Sequence, residues 1–252
     1  MSYFSKPLLW LMGSLFLQTS IKWLLTHGDE ILVGALASLG DIGMYALAAN
    51  YGGLVARMLF QPIEISSRNL FASLCATTAQ QAENANANAT EKDAKKESDT
   101  VAATEKANLQ YAAQLLSMIL RAYAIMSLVC FSLGPTAAPL LLRFVAGSKW
   151  TESGAGEVLG AYCYYIPLLA INGVSEAFVA ATASPKDLRN QTLWMAGFSV
   201  LFATSAWTFL NVLQMGAKGL VWANCVNMAL RVVFNLRYVG GYFSSRSQVS
   251  DA

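Results

Sequence analysis

The sequence predicts an all-α, polytopic membrane protein of about six transmembrane helices. Three observations carry this. The 252 residues are 55% hydrophobic and 13% charged, whereas a soluble domain averages about 25% charged. Ten of the 32 charged residues crowd into 77–107, so the remainder is poorer still in charge. Apolar stretches near the roughly 20 residues that cross a bilayer recur between short polar turns.

Leu8 to about Leu39 is apolar apart from Gln18, Lys22, His27, Asp29 and Glu30. Neither side of His27-Gly28-Asp29 makes a full span alone, so one long helix with a weak point at Gly28 is expected. Ser38 to Gly43 reads as a glycine-rich turn with Asp41 as N-cap. A second helix follows from about Ile42 to Cys75. Pro62 should kink it, because proline lacks the N–H for the helical ladder.

Residues 77–107 switch to Ala-Asn repeats and then a mixed Glu/Lys/Asp run. They read as a low-complexity cytosolic loop, disordered or loosely helical, that divides residues 1–76 from 108–239. The third helix is expected at Leu109–Leu133, ended by Gly134-Pro135. Ala137–Val145 is too short to span and reads as interfacial or re-entrant, and Gly147–Gly156 as an exposed loop. The fourth helix is expected at Val158–Thr182, the fifth at Leu188–Asn211 and the sixth at Leu220–Val239. Residues 240–252 form a polar tail expected to fray.

Six spans place both termini on one side. That side, with the low-complexity loop, carries nine Lys and Arg residues, against Arg143, Lys149 and Lys218 on the other. The bias puts the termini in the cytosol. The sequons at Asn88 and Asn190 then face the cytosol and are expected to be unglycosylated.

Charges inside such spans are costly, about 2.5 to 3.5 kcal/mol each at the bilayer centre on insertion scales. Their spacing is ordered. Arg57, Gln61, Glu64 and Arg68 fall at i, i+4, i+7 and i+11, one face of a helix. Asn172 and Glu176 are four apart, and Asn224, Asn227, Arg231 and Asn235 make another stripe. Gln18, Lys22 and Asp29 repeat the pattern in the first helix. Interhelical glue, worth about 0.6 kcal/mol per contact, is one reading. A shared polar cavity explains better why four helices carry stripes, and its cations suit anionic ligands such as phosphates. Salt bridges from Glu64 or Glu176 to Arg57 or Arg231 are favoured over paired acids.

No catalytic constellation appears. His27 is the single histidine, and the four cysteines are dispersed in apolar surroundings. Neither a metal site nor a cofactor is expected. The net charge of +2, with no basic patch among exposed aromatics, argues against nucleic acid as a partner.

Four separated blocks carry a family resemblance. They are Leu54-Val55-Ala56-Arg57 with Phe60-Gln61-Pro62-Ile63-Glu64; Ser20-Ile21-Lys22 with Gly28-Asp29; Ala170 to Phe178; and Ala223 to Met228 with Arg231. Together they resemble the eukaryotic endoplasmic-reticulum proteins that translocate dolichol-linked oligosaccharide, within the multidrug/oligosaccharidyl-lipid/polysaccharide exporter superfamily. The resemblance spans about residues 10–238, outside the low-complexity stretch.

It implies one lobe of a two-lobe flippase-like fold around a hydrophilic cavity, matching the second half of the family pattern, with an N-terminal lobe as the missing partner. It implies a multi-pass endoplasmic-reticulum transporter, not an enzyme, that moves Man5GlcNAc2-PP-dolichol from the cytosolic to the luminal leaflet for N-glycosylation. A non-transporting scaffold or accessory factor of that pathway is the alternative. Carried over by position, Lys22, Asp29, Arg57, Gln61, Glu64, Asn172, Glu176, Asn227 and Arg231 line the cavity. Lys22, Arg57 and Arg231 would meet the diphosphate, and Glu64 would position Arg57 or balance the cavity's charge.

Overall fold

We analysed a computed structural model of the chain, in which residues 12, 13, 16, 20, 34–88, 94–147 and 153–250 are described. The expected first helix, with Lys22 and Asp29, lies almost wholly outside them. Among the described residues every regular element is helical: α1 (Leu39–Val55), a π-helical turn (Ala56–Phe60), α2 (Gln61–Asn88), α3 (Ala94–Ala146), α4 (Ala155–Thr182), α5 (Pro185–Trp207), a second π turn (Thr208–Val212) and α6 (Ala217–Ser250).

The all-α, polytopic expectation stands, and four of the expected spans are found among the described residues. Among the described residues four helical stretches are long and apolar enough to cross a membrane: Ala103–Val145, Ala155–Thr182, Pro185–Val212 and Ala217–Arg246. The α1–π–α2 rod is absent from that set. Its own polar stripe, with Asn50 and three glycines nearby, lowers its hydropathy.

α4 is the centre of the bundle, packed against α1, α2, α3 and α6. In the apolar stretches of α4 and α6, 56% of residues are buried, against 17% in α3 and α5. The outer helices therefore turn Ile125, Leu128, Leu140, Leu193, Trp194 and Val200 outward, as a lipid-facing surface requires. Lipid is as apolar as these side chains, so close packing rather than hydrophobic burial favours helix association. The core shows that packing in Phe71 against Phe178, edge to face at 5.1 Å.

Several boundaries differ from expectation, for physical reasons. α3 does not end at Gly134-Pro135. It runs to Ala146 with Pro135 and Pro139 inside it, so Ala137–Val145 continues the third helix and is not a separate short segment. Glycines make this possible. A Cβ on Gly160 would lie 3.2 Å from the Pro135 carbonyl oxygen, one on Gly156 3.2 Å from Pro139 Cβ, and one on Gly134 2.5 Å from Cys163 Cβ. Gly156 and Gly160 form a G-x-x-x-G pair, the spacing that lets membrane helices approach closely. The proline segment is held by that tight contact.

The low-complexity stretch is helical where described, through Asn88 and again from Ala94. It contains neither Gly nor Pro and is rich in Ala, Glu, Gln and Lys, all good helix formers. The tail does not fray at Gly240. α6 continues to Ser250, because Tyr242 and Phe243 pack on Phe178 at 5.4 and 5.2 Å. Arg246 then donates to Glu105 of α3 at 3.0 Å.

Ser38, not Asp41, is the N-cap of α1 and accepts from the Asp41 N–H at 3.2 Å. Asp41 reaches elsewhere, with Oδ1 accepting from the Ala217 N–H at 2.9 Å and so tying the start of α1 to the start of α6. Gly216, at φ +56°, turns the chain there; a Cβ would sit 2.8 Å from the same carboxylate. Lys218 pairs with Glu157 nearby. α5 begins with a reciprocal capping box between Ser184 and Asp187.

Candidate functional site

The α1–π–α2 rod brings its polar residues to the bundle through an irregular turn. In the π segment the Gln61 N–H bonds to the Ala56 carbonyl five residues back. Pro62 has no N–H to offer at the next position, and the wider turn absorbs that break just before it. The irregularity takes Arg57 off the 3.6-residue repeat that joined it to Glu64 in the sequence.

The consequence is visible in the ion pairs. Glu64 accepts from Arg68 Nη2 at 3.0 Å, one α-helical turn on, rather than from Arg57. Arg57 lies over Gly53, where a Cβ would stand 3.6 Å from the guanidinium. It is also close enough to Tyr162 of α4 to interact electrostatically. The Tyr162 ring rests on Gly52, in space that a Cβ would occupy. Arg57 and Glu64 thus face α4 at two levels, and the expectation that Glu64 positions Arg57 is not met in this arrangement.

The lower level gathers three of the nine predicted residues, Glu64, Asn172 and Glu176. Glu64 Oε2 lies 2.9 Å from where a Gly173 Cβ would be, so the carboxylate sits directly against the α4 backbone. It interacts electrostatically with Glu176, one turn further. Asn172 Nδ2 donates to Glu176 Oε2 at 2.9 Å, and Asn235 Nδ2 of α6 donates to Asn172 Oδ1 at 3.2 Å. Two polar groups thus lie close together, the Arg68–Glu64 pair of α2 and the Glu176–Asn172–Asn235 series of α4 and α6. Asn172 and Asn235 are buried, while Glu64 and Glu176 are half-buried.

Of the remaining sequence-predicted residues, Asn227 is buried on α6 and Arg231, one turn on, is half-buried. Arg57 and Gln61 are exposed. On the α1–π–α2 stripe only Glu64 is half-buried, and Arg57, Gln61 and Arg68 are exposed. Lys22 and Asp29 lie outside the described residues. Asn235, Gly173 and Tyr162 were not among the predicted site residues. Asn235 shared a visible stripe with Asn227, and Gly173 sat inside a quoted motif between Asn172 and Glu176. Nothing in the sequence signalled Tyr162. Asn224 bonds the Tyr45 hydroxyl at 3.0 Å, a contact of the packing kind. Among the described residues no three His, Cys, Asp or Glu side chains converge as a metal site would need.

An exposed arginine and glutamine on one helix, with half-buried carboxylates and buried amides on it and its neighbours, can solvate a polar or anionic group inside a membrane. With that geometry in place, comparison with known proteins is informative. Residues 1–251 match the family described as Rft-1, Rft protein. The chain belongs to the Rft protein family.

Its curated relatives include the Man(5)GlcNAc(2)-PP-dolichol translocation protein RFT1 of Yarrowia lipolytica, 36% identical over 250 residues, covering 96% of this chain and 33% of that protein. The protein of the same name from Schizosaccharomyces pombe is 35% identical over 222 residues, covering 88% and 37%. That from Xenopus tropicalis is 31% identical over 236 residues, covering 93% and 40%. The chain spans about 33–42% of the length of the curated Rft relatives it matches. No solved structure matches it.

Proposed function

We propose that this Rft-family chain forms one helical lobe of an intramembrane transporter for lipid-linked oligosaccharide. In this reading the whole protein moves Man5GlcNAc2-PP-dolichol from the cytosolic to the luminal leaflet of the endoplasmic-reticulum membrane, for protein N-glycosylation. One observation carries it: Glu64 of α2 lies against the α4 backbone near the hydrogen-bonded Glu176–Asn172–Asn235 series of α4 and α6, within a largely apolar bundle, while Arg57, Gln61 and Arg68 of the same rod are exposed. A membrane protein keeps such residues where water or a polar ligand reaches them. The names of the relatives support the choice of ligand.

Arg57 and Arg231, with Lys22, would face the diphosphate, since a guanidinium matches phosphate oxygens with a planar fork. Gln61, Glu64, Asn172, Glu176, Asn227 and Asp29 would line the path beside them. A second lobe would close the open face, and transport would follow from rocking of one lobe against the other.

The competing reading, a scaffold of the same pathway, draws on the side-chain pairs Asn172–Asn235 and Asn224–Tyr45, which serve packing. A leaflet-translocation assay on the reconstituted whole protein separates the two. Transport predicts that Arg57→Ala and Glu64→Ala cut the rate at least tenfold at unchanged abundance. Wild-type rates in both variants, or a loss that follows protein abundance alone, would sink the transport assignment of the stripe.

A further inference from the structure

A groove lies beyond the end of the stripe. It has a volume of about 450 Å³ and is walled by the end of α4, the first turn of α5 and the C-terminal part of α6. Pockets of roughly 300–1,000 Å³ hold small organic ligands. We propose that this groove is a carbohydrate subsite that docks the neutral glycan of a lipid-linked ligand.

The chemistry of the walls points to that class. Five hydroxyls line the groove, from Thr182, Ser184, Ser245, Tyr238 and Tyr242; Thr182 donates to the Phe178 carbonyl, Ser184 to Asp187 and Ser245 to the Gly241 carbonyl, so these three offer acceptor lone pairs to a ligand. Hydroxyls both donate and accept, as the hydroxyls of a sugar do. The Tyr238 ring, stacked on Tyr242 at 6.3 Å and 27° from parallel, gives the groove a flat apolar surface with a polar tip. A pyranose presents the complementary surface, with C–H groups on its faces and hydroxyls around its rim.

The two charges in the groove, Asp187 and Arg246, are of opposite sign. Arg246 is already engaged, with Nη1 donating to Glu105 at 3.0 Å and the guanidinium 5.1 Å from the Tyr242 ring centroid. Asp187 uses Oδ2 for the Ser184 cap, leaving Oδ1 to accept from a ligand. A groove with no net charge and a committed arginine does not select a phosphate. One lined with hydroxyls and carboxylate does not select an acyl chain.

Its position fits a head group. Thr182 lies six residues beyond Glu176 on α4, roughly 9 Å along the helix axis. Tyr238 lies three residues beyond Asn235 on α6, so both helices run from the stripe to the groove. The groove therefore lies beyond the Glu176 and Asn235 end of the stripe, the end from which a glycan could extend. The choice of a lipid-linked glycan rests on the proposed function; the choice of a neutral sugar rests on the groove alone.

The test uses the whole protein in lipid nanodiscs, with free Man5GlcNAc2 oligosaccharide as probe and saturation-transfer NMR as readout. Gly241 lines the groove and Gly240 does not, and an added Cβ at either meets no atom within 4 Å. Gly241→Trp should therefore fill the groove without disturbing the helix, with Gly240→Trp as the matched control. Ser245→Phe, at another exposed lining position, is the second blocking variant if Gly241→Trp does not fold.

The wild type and Gly240→Trp should bind the glycan within twofold of each other, the blocking variant at least tenfold more weakly, and inorganic pyrophosphate should not compete. No glycan binding by the wild type, equal binding by blocked and control variants, or displacement by pyrophosphate would each overturn the subsite. Glycan binding of this pattern without lipid translocation would leave the subsite standing and remove the transport reading. Translocation without glycan binding would do the reverse.

Discussion

Replacing Gly173 with alanine isolates the placement of Glu64 from the stability of the bundle. An alanine Cβ would lie 2.9 Å from Glu64 Oε2 and 3.6 Å from its Cδ. An ordinary carbon–oxygen contact is nearer 3.4 Å, so the carboxylate must retreat by about 0.5 Å. Glu64 is half-buried, its partner Arg68 is exposed, and the side chain has three rotatable bonds, so this movement costs well under the roughly 1–3 kcal/mol of overpacking a rigid core. Alanine also gains about 1 kcal/mol over glycine inside a helix. The net effect on stability should stay within about 1 kcal/mol, a shift of only a few degrees in a domain of this size.

Activity should respond differently. Displacing one charged group in the path by that distance is expected to slow translocation about three- to tenfold, equivalent to roughly 0.7–1.4 kcal/mol in the barrier. Tryptophan-fluorescence melting in detergent and leaflet translocation in proteoliposomes read the two quantities. A melting loss of more than about 10 °C would refute the packing argument. Unchanged melting with unchanged transport would refute the role given to Glu64.

Other substitutions test the frame. Gly160→Leu should collapse the α3–α4 contact, because the nearest atoms are Pro135 backbone that cannot yield; overpacking there should cost about 3 kcal/mol and be visible as lost expression or melting. Asp41→Ala removes the acceptor for Ala217 and the partner of Ser38, and should cost about 1–2 kcal/mol by thermal melting. Asn235→Leu severs the link to Asn172. Average membrane hydrogen bonds are worth about 0.6 kcal/mol, so it should melt within about 3 °C of wild type.

The sequence made some of this legible and hid the rest. Periodicity alone placed Glu64, Asn172 and Glu176 on inward faces, and they meet across α2 and α4. It did not anticipate the π turn at Ala56–Phe60, which lies between Arg57 and Glu64; Pro62 marked the disturbance but not its form. Pro135 and Pro139 read as a helix end by local rules. Their retention depends on Gly156 and Gly160, about 20 residues away, whose G-x-x-x-G spacing was present but recognised only through the packing. Likewise Gly240 and Gly241 looked like the start of a tail, while the contacts of Tyr242 and Phe243 with Phe178 keep α6 helical. Local signals failed where tertiary contact overrides propensity.

The central claim is that the stripe meets water inside the membrane, and cysteine reactivity tests it most directly. Three single cysteines are placed in a cysteine-free version of the whole protein in liposomes. Gln61→Cys sits on the stripe, Leu128→Cys on the lipid-facing surface of α3, and Val174→Cys in the core of α4. A small charged thiol reagent should label Gln61→Cys, while a membrane-soluble maleimide should label Leu128→Cys and neither should reach Val174→Cys. Protection of Gln61→Cys from the charged reagent, with reactivity like that of Leu128→Cys, would contradict the account.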